Sequence, residues 1–340
     1  MTLLRYDAPV RPLFIRRSSR TLGSFDTPES KVTQGSVEKF LLELPDGNAI
    51  EAVLLGHFGP RVALLLEADA AIERRLGRAP LRAWARLQRK ISWETCVSTQ
   101  VGCALDCRFC ASSTVPFLRN LTSDELESEI AAIESRIPAG GRLRKVLFAG
   151  IGEPLLNYPA IASVIRALLS RGIAAKVNTV GVIPSLESLF ADGLEVELAV
   201  SIHAPNDELR AELMPAGKGY KLAEIKGMLS RAPASIRFIE LKYLLLDGVN
   251  DSPDHATELA EFARGLEATV CLQIYNRIEG LGYEGSPAER VRAFASQLRG
   301  AGARVDILNS NLGGTVDGGC GQLRARILPR NSAPHPEATA

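Results

Sequence analysis

Short apolar segments alternate with longer amphipathic segments from about residue 93 onward. Strand-like spacing predicts β-strands over 93–101, 144–149, 174–179, 194–202, 236–246, 269–275 and 304–308. Helical spacing predicts α-helices over 123–136, 159–171, 183–191, 221–231, 253–266 and 287–300. Strands that alternate with helices of this length predict an α/β fold with a parallel sheet, closed into a full or partial barrel. In such a barrel, chemistry collects on the loops after the carboxyl ends of the strands.

The first ninety residues follow a different pattern. Residues 36–55 predict a β-hairpin around the turn-forming residues 45–48, and 68–90 predicts one or two helices. The last stretch, 329–340, has three prolines and few apolar residues, so we expect it to be disordered. We therefore expect an N-terminal extension over 1–90, a barrel over 91–328 and a disordered tail over 329–340.

Charge and hydropathy narrow the class of protein. The 340 residues carry a formal net charge of +1, so an RNA-binding surface must come from local clustering, such as the eight basic and three acidic residues between 60 and 90. No apolar run approaches the length of a membrane-spanning helix, and the Arg-rich start lacks the apolar core of a secretory signal. We expect a cytoplasmic protein with no membrane partner.

Cysteine spacing supplies the strongest chemical signal. Of six cysteines, Cys103, Cys107 and Cys110 form a C-x3-C-x2-C array directly after the first predicted barrel strand. A cubane 4Fe–4S cluster has four irons, so three cysteines leave one iron open for a small molecule. A structural zinc site requires four closed ligands, which this array fits poorly. We interpret the array as an iron–sulfur site; a zinc-bound RNA-binding protein is the alternative outside the enzymes.

Five motifs in order along the chain resemble the radical-SAM RNA adenine methyltransferases of the RlmN/Cfr family. They cover 96–110, 150–157, 178–182, 201–207 and 320–323. The resemblance implies a radical-SAM partial (β/α)6-type TIM barrel, here with a small N-terminal β-hairpin and helical extension. It also implies one 4Fe–4S cluster and two S-adenosylmethionine molecules per turnover. The implied activity is methylation of an adenine ring carbon, carbon 2 first, in rRNA or tRNA.

The resemblance also implies residues that contact S-adenosylmethionine. Gly152 and Glu153 match the segment that receives its amino group, and a carboxylate can accept hydrogen bonds from an ammonium. The other matching positions follow later strands: Asn178, where the family usually has serine, then Ser201, Ile202, His203 and Asn276.

Two cysteines outside the array carry the group transfer that the resemblance implies. Cys320 is first methylated, and its methyl carbon then becomes a radical that adds to adenine. Cys96 next attacks the Cys320 sulfur and forms a transient disulfide as the product leaves. Glu51 matches the candidate base for the adenine proton, although it lies 45 positions before Cys96 and the basic segment between them looks like an insertion. The remaining cysteine, Cys271, is assigned to core packing.

The expected partners are an RNA substrate and a reducing electron donor such as flavodoxin or ferredoxin, with the chain a monomer. The runner-up interpretation is a radical-SAM enzyme with the same core that acts on a different RNA or on a non-RNA substrate. Cys96 and Cys320 separate the two, because an enzyme that only abstracts hydrogen needs neither.

Overall fold

The computed structural model describes residues 11–21, 34–58, 89–215 and 219–308. One large sheet runs through them. Its strands are β1 (Arg11–Thr21), β2 (Gln34–Glu43), β3 (Ala49–Phe58), β4 (Ser92–Val97), β7 (Leu143–Phe148), β8 (Ala174–Thr179), β9 (Val196–Ser201), β10 (Ile236–Leu245), β11 (Thr269–Ile274) and β12 (Arg304–Leu308). Two short strands, β5 (Gln100–Val101) and β6 (Arg119–Asn120), pair separately.

Seven helices accompany these strands in the described residues. They are α1 (Ser123–Glu134), α2 (Tyr158–Ser170), α3 (Ile183–Asp192), α4 (Asp207–Leu213), α5 (Leu222–Leu229), α6 (Pro253–Ala263) and α7 (Ala288–Gly300). Side chains cap two of these helices: Thr122 and Glu125 form a capping box at α1, and the Ser252 side chain caps α6 with Pro253 at its first position.

The sheet order is β1-β2-β3-β4-β7-β8-β9-β10-β11-β12. From β4 to β12 every neighbouring pair is parallel, which gives seven parallel strands in the described chain. The predicted α/β partial barrel is therefore confirmed. Each strand and helix predicted from residue 93 onward is present, and β8 and β12 have the predicted bounds. The pattern missed α4, which is only seven residues long, and β1.

The two faces of the parallel strands differ in chemistry. Alternate side chains pack with the helices in one apolar core, and we call this side the outer face. Its members include Val97, Val146, Phe148, Val177, Leu198, Val200, Leu241 and Leu272, each fully buried. The register places polar side chains on the opposite side, which we call the lumen face: Glu94, Cys96, Lys145, Lys176, Asn178, Glu197, Ser201, Glu240, Lys242 and Cys271. Side chains two strands apart meet there, as a concave face allows.

The N-terminal strands extend the barrel sheet. The predicted hairpin is present as β2 and β3, and β3 pairs antiparallel with β4. The predicted helices over 68–90 and the tail over 329–340 lie outside the described residues, so the division into 1–90, 91–328 and 329–340 stays a prediction. No described helix has both the length and the apolar character needed to cross a bilayer.

Candidate active site

The cysteine array lies on a loop at the carboxyl end of β4. Cys103, Cys107 and Cys110 follow β5 and precede a 3-10 turn over Ala111–Thr114, and all three thiols are half-buried. Gly102 enters this loop with φ +76°, and a Cβ there would lie 1.9 Å from the Pro116 carbonyl oxygen, so the crossing requires glycine.

Burial governs the ionisation of these thiols. It raises the pKa of Cys103 to about 12 and that of Cys107 well above its ordinary range; Cys110 adds to both effects and Cys103 adds to that on Cys107. Metal binding must therefore displace protons, as it does at thiolate sites generally. No three His, Cys, Asp or Glu side chains of the described residues are arranged around a common point. The fit to an iron–sulfur cluster rests on the donor set, which is three thiols on one short loop.

The segment that follows β7 contacts Gln100, at the start of the cysteine loop. Gly152 has φ +105°, and a Cβ there would lie 2.7 Å from the Gln100 side chain. The Glu153 carboxylate accepts the Leu155 N–H at 3.0 Å and the Val180 N–H at 2.9 Å. Burial raises the pKa of Glu153 to about 7. Each carboxylate oxygen has a second lone pair, so the predicted contact with an ammonium stays a prediction that this geometry allows.

Two buried polar side chains lie at the ends of β8 and β11. Asn178 Oδ1, at the end of β8, has no hydrogen-bond partner among the described residues. The Tyr275 hydroxyl lies just after β11, where the Ile278 backbone hydrogen-bonds to it. Burial raises the pKa of Tyr275 to about 12, and the Cys110 thiol is among the groups that act on it. Buried polar atoms are nearly always paired in proteins, so Asn178 Oδ1 fits a site that takes a polar ligand. The role of Asn178 and that of Asn276, one residue beyond Tyr275, stay predictions.

The chain leaves the sheet at the end of β9 through residues 201–203. The backbone N–H groups of Ile202 and His203 both donate to the Lys242 carbonyl, at 2.9 and 3.2 Å. His203 has φ +55° and its Nδ1 accepts the Leu244 N–H at 3.0 Å, so Nε2 carries the proton. Burial lowers the pKa of His203 to about 3, which keeps the ring neutral.

His203 also connects this segment to the cysteine loop. Its ring lies edge-on to that of Phe109, with 5.1 Å between centroids, and Phe109 stands between Cys107 and Cys110. The structure thus brings the predicted cofactor contacts after β7, β8 and β9 to the same end of the barrel as the cysteine array. Their individual contacts with S-adenosylmethionine stay predictions.

Glu51 and Cys96 are neighbours in space although they are 45 positions apart in sequence. Val53 pairs with Cys96 across β3 and β4, and the Ser98 hydroxyl donates to the Glu51 carbonyl at 2.6 Å. Glu51 is 2% exposed, and its carboxylate forms an ion pair with Lys39 at 3.0 Å. The register places Glu51, Lys39 and Cys96 on the lumen face. The segment 59–88 lies outside the described residues.

A second group of ion pairs lies on the lumen face, between β8 and β10. The Glu240 carboxylate contacts Lys176 Nζ at 2.7 Å and Lys242 Nζ at 2.6 Å. Lys242 also lies 3.4 Å from the Cys271 thiol. Cys271 is buried, as its assignment to the core requires, but its contact is a charged amine rather than an apolar side chain.

The sequence did not single out two further buried groups beside these elements. Glu129 of α1 accepts the Ser98 N–H at 2.9 Å, and burial raises its pKa well above the ordinary range. Arg210 of α4 is 1% exposed and donates to the Val180 carbonyl, just after β8. Neither lies in a spacing that signals chemistry. The predicted methyl carrier Cys320 lies outside the described residues.

Comparison with known proteins agrees with this arrangement. The model of the Radical SAM superfamily matches residues 97–262. The chain is 36% identical to a probable dual-specificity RNA methyltransferase RlmN 1 of Opitutus terrae, over 87% of this chain and 78% of that protein. It is 32% identical to a probable RlmN of Dictyoglomus thermophilum, over 93% of this chain and 84% of that protein.

Solved structures give the same result. The fold resembles a radical SAM methyltransferase from Sphaerobacter thermophilus, with a TM-score of 0.73, 30% identity, and coverage of 93% of this chain and 81% of that one. The two RlmN relatives are more than 30% identical to this chain, and each match covers more than three quarters of both proteins. A single shared domain therefore does not account for the match. The chain therefore belongs to the RlmN family of the radical SAM superfamily.

Proposed function

We propose that this protein methylates a ring carbon of adenine in RNA, with carbon 2 of an rRNA or tRNA adenine as the target. The observation that carries the proposal is the position of Cys96. It lies on the strand that leads into the cysteine array, on the lumen face, beside the strand that holds Glu51. A radical enzyme that only abstracts hydrogen has no use for a thiol at this place.

Cys103, Cys107 and Cys110 would hold a 4Fe–4S cluster and leave one iron open for S-adenosylmethionine. When bound, this pair supplies the electron transfer that starts radical chemistry. Gly152 and Glu153 would orient the amino end of the cofactor. Asn178, Ser201, Ile202, His203 and Asn276 would orient the rest. The neutral His203 ring can donate from Nε2 without adding charge.

Cys320 would carry the methyl group, which it receives as a thiolate from one S-adenosylmethionine molecule, while a second is consumed by the radical step. Glu51 would accept the proton that leaves the adenine ring. The Cys96 thiolate would then attack the Cys320 sulfur. A sulfur–sulfur bond forms as the carbon–sulfur bond to the product breaks, and the electron pair goes to the product carbon, which takes up a proton to complete the methyl group.

Glu51 is suited to this role by its surroundings. Its carboxylate lies 3.0 Å from the Lys39 ammonium, and both side chains are buried. On β3, Glu51 lies two residues from Val53, which pairs with Cys96. The base and the resolving thiol would therefore face the same substrate carbon from adjacent strands.

The partners follow from this chemistry. The substrate is RNA, and phosphate contacts would come from the basic segment at 60–90. A low-potential donor such as flavodoxin or ferredoxin would supply the electron. We propose that the protein acts in the cytoplasm as a monomer.

The test uses purified, oxygen-protected protein with unmodified rRNA and tRNA. We expect methyladenine in one of them by mass spectrometry of nucleosides, and carbon 2 and carbon 8 products separate by chromatography. Cys320→Ala should abolish transfer and leave the iron content unchanged. Cys271→Ala is the matched control, because it removes a thiol from the same barrel and should keep activity. A product on a peptide or small molecule, with none on RNA, would overturn the RNA assignment.

A further inference from the structure

Ser98 lies at the point where the chain leaves β4, and its side chain is fully buried. Its hydroxyl donates to the Glu51 carbonyl at 2.6 Å and accepts the Glu51 N–H at 3.3 Å. It also accepts the Ile151 N–H at 3.1 Å. A serine hydroxyl has one donor and two acceptor sites, so these three hydrogen bonds use all of them.

The hydroxyl takes the place of a strand pair between β3 and β4. Their antiparallel register ends at Val53 and Cys96, and two residues further it would set Glu51 opposite Ser98. The Ser98 N–H donates instead to the Glu129 carboxylate of α1 at 2.9 Å. One side chain therefore binds both main-chain groups of Glu51 at the place where the ladder between the two strands ends.

The same hydroxyl connects Glu51 to the segment that would orient the amino end of the cofactor. Ile151 directly precedes Gly152 and Glu153 in that segment. The main chain of the proposed base and the main chain of the cofactor segment thus bind one oxygen atom. This oxygen sets the distance between them.

The cofactor segment has further hydrogen bonds to the end of β4. The Ile151 carbonyl accepts the Thr99 N–H at 2.8 Å, and the Gly150 N–H donates to the Val97 carbonyl at 2.9 Å. Loss of the hydroxyl would therefore leave this segment attached, and its main effect would be on the position of Glu51.

We propose that Ser98 is a positioning residue that holds the Glu51 carboxylate within reach of the adenine ring carbon. The inference rests on the proposed function, with Glu51 as the base. In that step the carbon–hydrogen bond of the ring breaks, the proton goes to the Glu51 carboxylate and the bonding electron pair stays in the ring. A base acts within hydrogen-bond reach of the proton that it removes, and a displacement of about 1 Å can lower a rate by about 10²-fold.

The experiment follows single turnovers of the reconstituted full chain on RNA that carries hydrogen or deuterium at the target ring carbon. Ser98→Ala removes the hydroxyl. We expect 5′-deoxyadenosine to form at the wild-type rate, because cofactor cleavage precedes proton removal, and methylated RNA to form about 10- to 10²-fold more slowly. Deuterium should slow Ser98→Ala more than wild type, because proton removal becomes rate-limiting. Ser286→Ala is the matched control: it removes another buried hydroxyl, which donates to Asp251 at 2.6 Å, and should change neither rate.

A double variant shows whether Ser98 acts through Glu51. Glu51→Gln has already lost the base, so adding Ser98→Ala should not slow methylation further, whereas independent effects would add. Ser98→Gly is used if Ser98→Ala does not fold, because removal of the whole side chain leaves room for a water molecule that can satisfy the three main-chain groups. We expect the same pattern in this variant, with a smaller loss of rate.

Three results would overturn the positioning role: equal slowing of 5′-deoxyadenosine and methylated RNA, an unchanged deuterium effect, or additive effects of Ser98→Ala and Glu51→Gln. Wild-type protein that forms no methylated RNA would instead overturn the proposed function.

Discussion

Each parallel strand contributes alternate residues to the outer face and to the lumen face. The outer face is almost entirely aliphatic or aromatic and packs with the helices. The lumen face holds ion pairs: Lys39 with Glu51, Lys145 with Glu197, and Glu240 with two lysines. A TIM barrel usually fills its interior with branched apolar side chains. The lumen face of this protein instead carries charged side chains and thiols.

The difference separates what holds the fold from what performs the reaction. A buried ion pair often contributes less to stability than apolar side chains of the same volume, because desolvation offsets the attraction. The lumen charges are therefore poor candidates for stabilising elements, and the outer face is sufficient for that purpose. Substitutions at two neighbouring positions of one strand can test this division, because one side chain lies on the outer face and the other on the lumen face.

The largest difference is expected between Cys96 and Val97. Cys96→Ala should stop turnover and trap RNA covalently on the protein, because no thiol remains to attack the Cys320 sulfur. Val97→Ala should release product normally and lower the free energy of unfolding, because it removes buried methyl groups. Denaturing gels with labelled RNA detect the adduct. Multiple turnovers by Cys96→Ala would rule out a resolving role for this thiol.

Glu51 and Ile50 give the next comparison, on β3. Glu51→Gln should lower the single-turnover rate by about 10²- to 10⁴-fold, the usual contribution of a general base. Ile50→Val should leave this rate unchanged. The Glu51 variant also leaves the Lys39 ammonium without its counter-ion, so thermal unfolding is followed in parallel and rates are compared where both variants are folded. An unchanged rate in folded Glu51→Gln would place the proton acceptor elsewhere.

The outer face is also the part of the molecule that the sequence predicts well. Apolar periodicity is a local property, and it located every parallel strand, with β8 and β12 at the predicted bounds. The cysteine spacing was equally local. Arg210 could not be found in this way, because its acceptors lie 30 positions before it and 10 after it. The meeting of Glu51 with Cys96 also depends on strand register, which the sequence suggests only through the family resemblance.

Glu240 and Ile239 test the cost of the lumen charges. Glu240→Gln removes the carboxylate shared by Lys176 and Lys242 and leaves two buried ammonium groups without it. We expect a loss of about 3–5 kcal/mol in the free energy of unfolding. Ile239→Val, one position away on the outer face, should cost about 0.5–1.5 kcal/mol. Urea unfolding measures both, and adding Lys176→Met to Glu240→Gln should recover part of the loss. The loss in Glu240→Gln comes from the uncompensated lysine charge, so no recovery in the double variant would contradict the proposed division.

The smallest effect is expected for an ion pair on neither face. Asp46, in the β2–β3 turn, contacts Arg119 at 2.6 Å, and its side chain is 39% exposed. Burial is the largest single effect and would raise the pKa of Asp46, but the hydrogen bonds from Asn48 and Arg119 together outweigh it and lower the pKa from 3.8 to about 2. Because the folded pKa is depressed, this stabilisation is complete above pH 3.8 and is lost as the pH falls through about 2. Water and salt screen the pair, so Asp46→Asn should cost no more than about 1 kcal/mol at pH 7, and less at high salt. Urea unfolding from pH 7 down to pH 2 should show the difference between wild type and variant narrowing below pH 3.8 and the two converging at the acid end. A constant difference across that range would mean that Asp46 acts through the shape of the turn rather than through its charge.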